Sequence, residues 1–468
     1  MSTDGLRLKA CRYVMVAMAL VPASVACAQD ALDQQADHLI RTEMAAQKIP
    51  GVSVAVIRDG QVVLVKGYGL ANVEHAVAVK PGTVFQSGSV GKQFTAMAVM
   101  LLVDEGKIDL DERIGTYLGD VPGSWKDMTV RQLLTHTSGM ADYTSDFNLW
   151  QDYSEDELLD KAKKVPTAFA PGEKWQYSNL GYLTLGAIVR RVSGKFYGDF
   201  LQERVFDPLG MTTARVISEA DIIPDRAMGY RLENGELKHQ HWVAPQFNTT
   251  ADGALYLTAL DMIKWEQALS GGKLLAEESY AQMWSPVRLN SGKTHPYGFG
   301  WMLGEVNAHR EIEHGGAWQG FKAQIVRYPE DRLAVVVFAN LAQADPAGIA
   351  RGVAAIYEPG LVPGPIEDAE PGFTALVREQ MLKIADGNPD LDLFAPELQK
   401  LISGPGDRFG AFLESMGGIR NVELFSRSGI PEGVAYRYRF AFAQEAAYVD
   451  VVRLKDGKIG ALGFKPAD

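Results

Sequence analysis

The 468-residue chain carries 46 basic against 58 acidic residues, a formal charge of −12, with 47% hydrophobic and 22% charged residues. That balance argues against a nucleic-acid binder with a basic face and against wholesale disorder, and the length allows two or three domains. Its two cysteines, Cys11 and Cys27, both precede residue 30, so the remainder has no disulfide framework, thiol nucleophile or cysteine metal site.

Arg7, Lys9 and Arg12 precede an apolar stretch from Tyr13 to Val21, and small residues end in Ala26-Cys27-Ala28. This reads as a secretory leader over 1–28 with cleavage after Ala28; the apolar stretch is short for a membrane span. An exported chain, periplasmic or secreted, is expected. Lipid attachment at Cys27 is the lesser alternative. A helix is predicted from about Asp33 to Gln47. Val52–Val56 and Gln61–Lys66 are β-rich and flank the hairpin signal Asp59-Gly60. A second hairpin is predicted over Phe321–Tyr328 and Leu333–Asn340, across Pro329-Glu330-Asp331. Strand pairs this far apart suggest one antiparallel sheet built from both ends of a domain, with a mostly helical stretch between about 90 and 270.

Within that stretch, Ser89 to Glu105 reads as one helix. Phe94, Met97, Ala98, Leu101 and Leu102 form its apolar face, and Gly106 caps it. Leu180–Val192 is a second helix, and a third near Tyr197–Phe206 ends at Asp207-Pro208-Leu209-Gly210. Pro359-Gly360, Pro363-Gly364-Pro365 and Pro371-Gly372 mark a linker over 356–372. Beyond it, helical segments at about 373–386, 394–402 and 407–416 precede β-rich runs at about 419–427, 434–443, 446–454 and 458–464. Helices followed by an antiparallel sheet give an α+β unit over 373–468. Its pattern loosely resembles cone-shaped domains of the steroid-isomerase type, a likeness that implies no function.

Three short motifs carry chemistry. In Ser89-Val90-Gly91-Lys92, positions i and i+3 share a helix face, so Lys92 Nζ can lie beside Ser89 Oγ. A serine hydroxyl is a weak nucleophile until a base takes its proton, and a perturbed lysine can do that. At a helix N-terminus, free N–H groups also favour a developing oxyanion. Ser270-Gly271-Gly272-Lys273 repeats the spacing across a glycine pair where a helix should end, and reads as a chance match. Tyr177-Ser178-Asn179 offers a proton-shuttling hydroxyl and an amide that both donates and accepts, although the same residues also suit a plain helix start. His314-Gly315-Gly316-Ala317 precedes the Phe321 strand, and its glycines let a backbone approach a ligand closely.

Taken together and in this order, the motifs resemble those of the serine β-lactamase and penicillin-binding protein superfamily, with its S-x-x-K, Y-x-N and K-T-G or H-x-G elements. The class C branch, with its esterase, D-aminopeptidase and D,D-carboxypeptidase relatives, is the most similar. Leu133-Leu134-Thr135-His136-Thr137-Ser138-Gly139, Pro171-Gly172, Phe206-Asp207-Pro208-Leu209-Gly210-Met211 and Tyr297-Gly298-Phe299-Gly300-Trp301 add to the resemblance, which covers about 35 to 355. It implies an α+β fold, an antiparallel sheet flanked by helices with a helical subdomain, over 30–355. It implies Ser89 as acylated nucleophile, Lys92 and Tyr177 as general base and acid, and Asn179 as orienter of the substrate amide. The N–H groups of Ser89 and Ala317, beside Gly316, would form the oxyanion hole. His314 stands where many members have lysine, and could offer a pH-dependent charge to a substrate carboxylate.

His314-Gly315-Gly316 lacks the fixed cation and hydroxyl of K-T-G, which moves weight from β-lactamase proper toward esterase, D-amino-acid amidase, D-aminopeptidase or D,D-carboxypeptidase. No G-x-S-x-G elbow surrounds Ser89, against an α/β-hydrolase. His136 reads as structural, and His239 with His241 lacks a third metal ligand, so neither metal nor cofactor is expected. Tyr143, Trp150 and Trp318 are candidates to line the cleft. The expected partner is a small ester, amide or peptidoglycan-derived peptide, not a nucleic acid, and self-association through the C-terminal unit is open. The competing function is a non-hydrolytic protein that binds or senses cell-wall fragments.

Overall fold

The computed structural model describes residues 23–362, 364–403, 408–430 and 432–467. Most of the expected leader, residues 1–22, lies outside the described residues. The chain divides into two compact units, Met1–Leu361 and Val362–Asp468.

The first unit is built on a seven-stranded antiparallel sheet. Its strands are β1 (Gly51–Arg58), β2 (Gln61–Asn72), β3 (Val77–Ala78), β4 (Met302–Val306), β5 (His309–Trp318), β6 (Phe321–Tyr328) and β7 (Leu333–Ala339), in spatial order β4-β5-β6-β7-β1-β2-β3. The join between the two ends of the domain is β1 against β7, with Val54 opposite Val337. Alternate residues serve opposite faces. Val52, Val54, Val56, Val335 and Val337 pack with Ala36 and Ile40 of helix α1 (Ala23–Gln47). Ala55, Ile57, Val336 and Phe338 face the helical insertion instead. Burial on both faces explains why β1 and β7 are apolar runs and not alternating ones.

At the heart of the insertion runs α2 (Lys92–Asp104), buried without a break from Lys92 to Leu102. The one-sided apolar face expected from the sequence is therefore too narrow. Ala96, Val99 and Met100 are enclosed as fully as Phe94 and Met97, as befits a helix packed on all sides. Its start also differs from the single helix expected over Ser89–Glu105. Gly88–Gly91 is a 3₁₀ turn, and the α-helix begins only at Lys92. Gly106, at φ +67°, ends it as expected. Helix α3 (Asn179–Ser193) packs against α2 and closes on Gly194 in the left-handed region. A buried ion pair fastens sheet to insertion: Arg327 of β6 donates from Nε to Glu266 Oε2 at 2.6 Å and from Nη2 to Oε1 at 3.2 Å. Glu266 lies on helix Ala259–Ser270.

The second unit places α4 (Pro371–Ala385), α5 (Pro396–Ile402) and α6 (Arg408–Met416) against one face of a four-stranded antiparallel sheet. Its strands are β8 (Asn421–Ile430), β9 (Gly433–Ala441), β10 (Ala446–Leu454) and β11 (Ile459–Ala467), in sequence order. Tyr436, Tyr438 and Phe440 of β9 and Val449 and Val451 of β10 meet Phe373, Val377, Met381 and Ile384 of α4. Glu370 accepts from Arg427, Arg453 and Tyr436, and those donors hold its carboxyl down at about 2. No described helix is long and apolar enough to cross a membrane.

Candidate active site

Ser89 sits on the 3₁₀ turn that feeds α2. Three residues per turn eclipse positions i and i+3 more directly than an α-helix does, and Lys92 Nζ lies 3.2 Å from Ser89 Oγ. Two close approaches hold that turn. A Cβ on Gly316 would meet the Ser87 carbonyl oxygen at 2.0 Å, and one on Gly88 would meet Ala317 N at 2.4 Å. Across the turn, a Cβ on Gly253 would meet the Gly88 carbonyl oxygen at 2.3 Å. Glycines thus let β5 and the 250–253 loop clamp the turn by backbone contact on two sides.

Lys92 is fully buried, and each of its three N–H donors has an acceptor. They are Ser89 Oγ, Asn179 Oδ1 at 2.7 Å, and the main-chain carbonyl of Asp252. Its ammonium also lies 4.9 Å from the Tyr177 ring centroid and 5.4 Å from that of Tyr182, within cation–π range. Asp142 aligns Asn179 in turn, accepting from its Nδ2 at 3.0 Å and its main-chain N at 3.1 Å. Ser178 caps α3, its hydroxyl accepting from Gly181 N. The plain helix-start reading of Tyr177-Ser178-Asn179 and the chemical one therefore coexist. Tyr177 and Ser89 both face the groove beside Gly315, Gly316 and Ala317. Strand β4 pairs with β5 only over 309–313, so β4 leaves the edge at 314–317 uncovered, with Ala317 exposed.

His314 is buried beneath this edge, 2% exposed. Burial, with the positive charge of Lys92, lowers its pKa to about 4, against a smaller opposing effect of its bond to the Gly315 carbonyl. A pH-dependent charge offered to a carboxylate near neutrality does not fit that environment. The imidazole belongs to a hydrogen-bonded chain. Ser178 N–H donates to His136 Nδ1, so the proton of neutral His136 is on Nε2, which bonds Tyr297 Oη at 3.1 Å. The Tyr297 hydroxyl then donates to His314 Nε2 at 3.0 Å, and His314 Nδ1–H donates to the Gly315 carbonyl at 2.6 Å. Burial also holds His136 well below the usual histidine value, helped by the charge of Lys92. Its ring packs against Tyr177 with centroids 4.3 Å apart and planes inclined by 35°. The chain therefore links the Tyr177 segment to the Gly315 strand through neutral rings.

A second recess opens on the other side of Ser89. It has a volume of about 310 Å³ and reaches Asn179, Asp252 and the rings of Tyr143, Phe147, Phe247 and Trp318. Tyr143 and Trp318 line it; Trp150, 71% exposed, is not among its walls, where Leu149 stands instead. Asp142, Asp252 and Tyr297 are the site residues that the sequence reading missed. Asp252-Gly253 looks like an ordinary turn, and no spacing rule ties it to Lys92. Of the remaining candidates, Ser270 Oγ bonds Glu266 and His239 bonds Glu74 at 2.9 Å, which leaves both outside this constellation.

A serine set against a buried lysine, where an antiparallel sheet meets its helical insertion, is the plan of the β-lactamase and transpeptidase-like serine hydrolases. The chain belongs to the beta-lactamase family, whose sequence profile matches residues 36–357. Penicillin-binding protein 4* of Bacillus subtilis (strain 168) is 29% identical over 307 residues, covering 62% of this chain and 67% of that protein. A D-aminopeptidase of Gluconobacter oxydans (strain 621H) is 29% identical over 330 residues, 66% of this chain and 60% of the enzyme. The octameric penicillin-binding protein homologue from Pyrococcus abyssi superposes with a TM-score of 0.65 at 23% identity, over 93% of this chain and 96% of that one, a likeness of fold.

Proposed function

We propose that the chain is an exported hydrolase that works through an acyl-enzyme on Ser89 and cleaves an ester or a D-amino-acid amide or peptide bond. The observation that carries this reading is the bond between Lys92 Nζ and Ser89 Oγ, with the other two lysine donors tied to Asn179 and the Asp252 carbonyl. Ser89 Oγ attacks the substrate carbonyl carbon, and its proton passes to the Lys92–Tyr177 pair, which in its reactive form holds one proton fewer than an ammonium and a phenol together. The carbonyl oxygen becomes an oxyanion facing the N–H groups of Ser89 and Ala317. As the C–O or C–N bond breaks, the pair returns the proton to the leaving oxygen or nitrogen. A water then adds to the acyl carbon, gives its proton to the same pair, and expels Ser89 Oγ, which is reprotonated. Asn179 lines the recess beside Ser89 and in this reading orients an amide of the acyl part. The leader read in residues 1–28 supports export. Self-association through the C-terminal unit is part of the same proposal.

Purified protein lacking residues 1–28 would be incubated with p-nitrophenyl acetate, D-alanine p-nitroanilide and nitrocefin, beside Ser89→Ala. Ester turnover is expected in the wild type, with weak or absent nitrocefin hydrolysis and no turnover in the variant. The anilide separates amidase from esterase. Inertness toward all three, with no acyl adduct on Ser89 by intact mass, would leave a binding protein as the better reading.

A further inference from the structure

Ser89 and Ala317, whose N–H groups the acyl-transfer reading uses together, stand on separate elements. Ser89 belongs to the turn before α2, and Ala317 to the end of β5. Their spacing is set by tertiary packing, and one short segment, 248–253, touches both sides. On the nucleophile side its carbonyls are held one after another. Tyr197 Oη donates to that of Thr250 at 2.9 Å, Thr95 Oγ1 to that of Ala251 at 2.6 Å, Lys92 to that of Asp252, and Ser87 Oγ to that of Gly253 at 2.8 Å.

On the strand side the segment reaches Trp318, the neighbour of Ala317. Trp318 Nε1 donates to Asn248 Oδ1 at 2.7 Å, and Asn248 Nδ2 donates to Glu219 Oε1 at 3.1 Å. An indole only donates and a carboxylate only accepts, so the Asn248 amide has a single orientation. Asn248 is 4% exposed and is not among the walls of the recess beside Ser89. Its bond to the indole fixes the strand just where β4 no longer pairs with it and where the chain turns through Gln319 and Gly320, both at positive φ.

We propose that Asn248 is a positioning residue: by holding the Trp318 indole it fixes the Ala317 N–H relative to the Ser89 turn, so that one segment sets the distance between the two oxyanion donors. This rests on acylation at Ser89. Asn248 acts through Trp318 and touches neither the nucleophile nor the lysine.

The test compares wild type, Asn248→Ala, Asn248→Asp and the double variant Asn248→Asp/Glu219→Gln. Asn248→Ala is expected to lower kcat for p-nitrophenyl acetate by about 10²-fold, the size of a small misplacement of a reacting group, with little change in KM. Asn248→Asp keeps an acceptor for the indole but sets a carboxylate against Glu219, and should also be slow. The double variant restores a donor opposite an acceptor, and most of the lost kcat should return. A wild-type kcat in Asn248→Ala overturns the proposal, and so does a loss in Asn248→Asp that the double variant fails to recover. Backbone hydrogen exchange over 314–318 is measured by mass spectrometry on the same proteins and is expected to quicken in Asn248→Ala; unchanged exchange overturns the proposal whether or not the ester is turned over. Labelling of wild-type Ser89 by a fluorophosphonate separates the two readings. Faster exchange in the variant without labelling would keep the brace and discard the acyl-enzyme; labelling with unchanged exchange would do the reverse.

Discussion

Lys92 Nζ donates to Asn179 Oδ1 at 2.7 Å, which ties the start of one buried helix to the start of another. Asp142 grips the same amide from its far side, so the lysine is held by a partner that is itself held. Replacing Lys92 by Arg preserves charge but swaps three rotatable donors for a planar fork. Lys92→Arg and Ser89→Ala are each expected to lower ester turnover by at least about 10³-fold. Near-wild-type rates in Lys92→Arg, with the fold intact by circular dichroism, would remove the lysine from the proton-transfer role.

Gly316→Ala tests the clamp on the nucleophile turn. Its new Cβ would lie 2.0 Å from the Ser87 carbonyl oxygen, a backbone atom that cannot swing aside. The strand must shift, at a cost of about 1–3 kcal/mol, and the Ala317 N–H moves with it. A fall in kcat of roughly 10²–10³-fold is expected, the size of losing one oxyanion donor. Steady-state kinetics and a denaturation midpoint measured on the same sample would check both parts.

Tyr297→Phe removes the hydroxyl between His136 and His314 and leaves a buried donor on one ring and a buried acceptor on the other. Each costs about 1–3 kcal/mol when unsatisfied. The expected kinetic signature is a lower kcat with little change in KM, because Tyr177 rests on His136 while the aromatic recess is untouched. A rise in KM alone would contradict this positioning role.

The buried histidines also predict a pH dependence of stability. His314 titrates near 4 when folded and near 6.5 when unfolded. Between these values the unfolded chain binds more protons, so its contribution to stability is present above about 6.5 and is lost as pH falls toward 4. The slope is up to ~1.4 kcal/mol per pH unit for this residue. Urea denaturation of wild type and His314→Gln from pH 7 to pH 5 should show the shallower dependence in the variant.

Glu266→Gln tests the ion pair between sheet and insertion. Arg327 and Glu266 have side chains only 3% and 7% exposed, and removing one charge strands the other. A loss of about 3–5 kcal/mol is expected, measured by chemical denaturation. A change under 1 kcal/mol would mean that Arg327 finds sufficient support in Trp284 and Trp301, whose ring centroids lie 4.8 and 5.6 Å from its guanidinium carbon.

The β1–β2 and β6–β7 hairpins were readable because β-rich apolar runs flank unambiguous turn residues. Strand β5 was legible only as a motif beside the next strand. Its Gly315-Gly316 pair weakens the β pattern, and it turns back from β4 through Asn307 and Ala308, both at positive φ, where alanine is an unexpected occupant. The two-residue strands Phe85–Gln86 and Arg215–Val216, which flank Leu255–Leu257, are too short to show a period. Ser89 and Lys92 could be paired from spacing alone, since they lie three positions apart. Asp252 could not, because its place beside Lys92 exists only once the 250–253 loop packs on Gly88 and Gly91.

The pairing of β1 with β7 carries a consequence for how the molecule comes into being. Val54 meets Val337 only after nearly the whole hydrolase unit has left the ribosome. Until then the apolar edge of β1 has no mate on that side, and such non-local closure makes assembly slow. A chain stopped short of residue 333 would expose that edge to other unfinished copies, a recognised route to aggregation. Delay would not be a handicap for a polypeptide threaded unfolded through a translocation channel, where premature closure is the greater hazard.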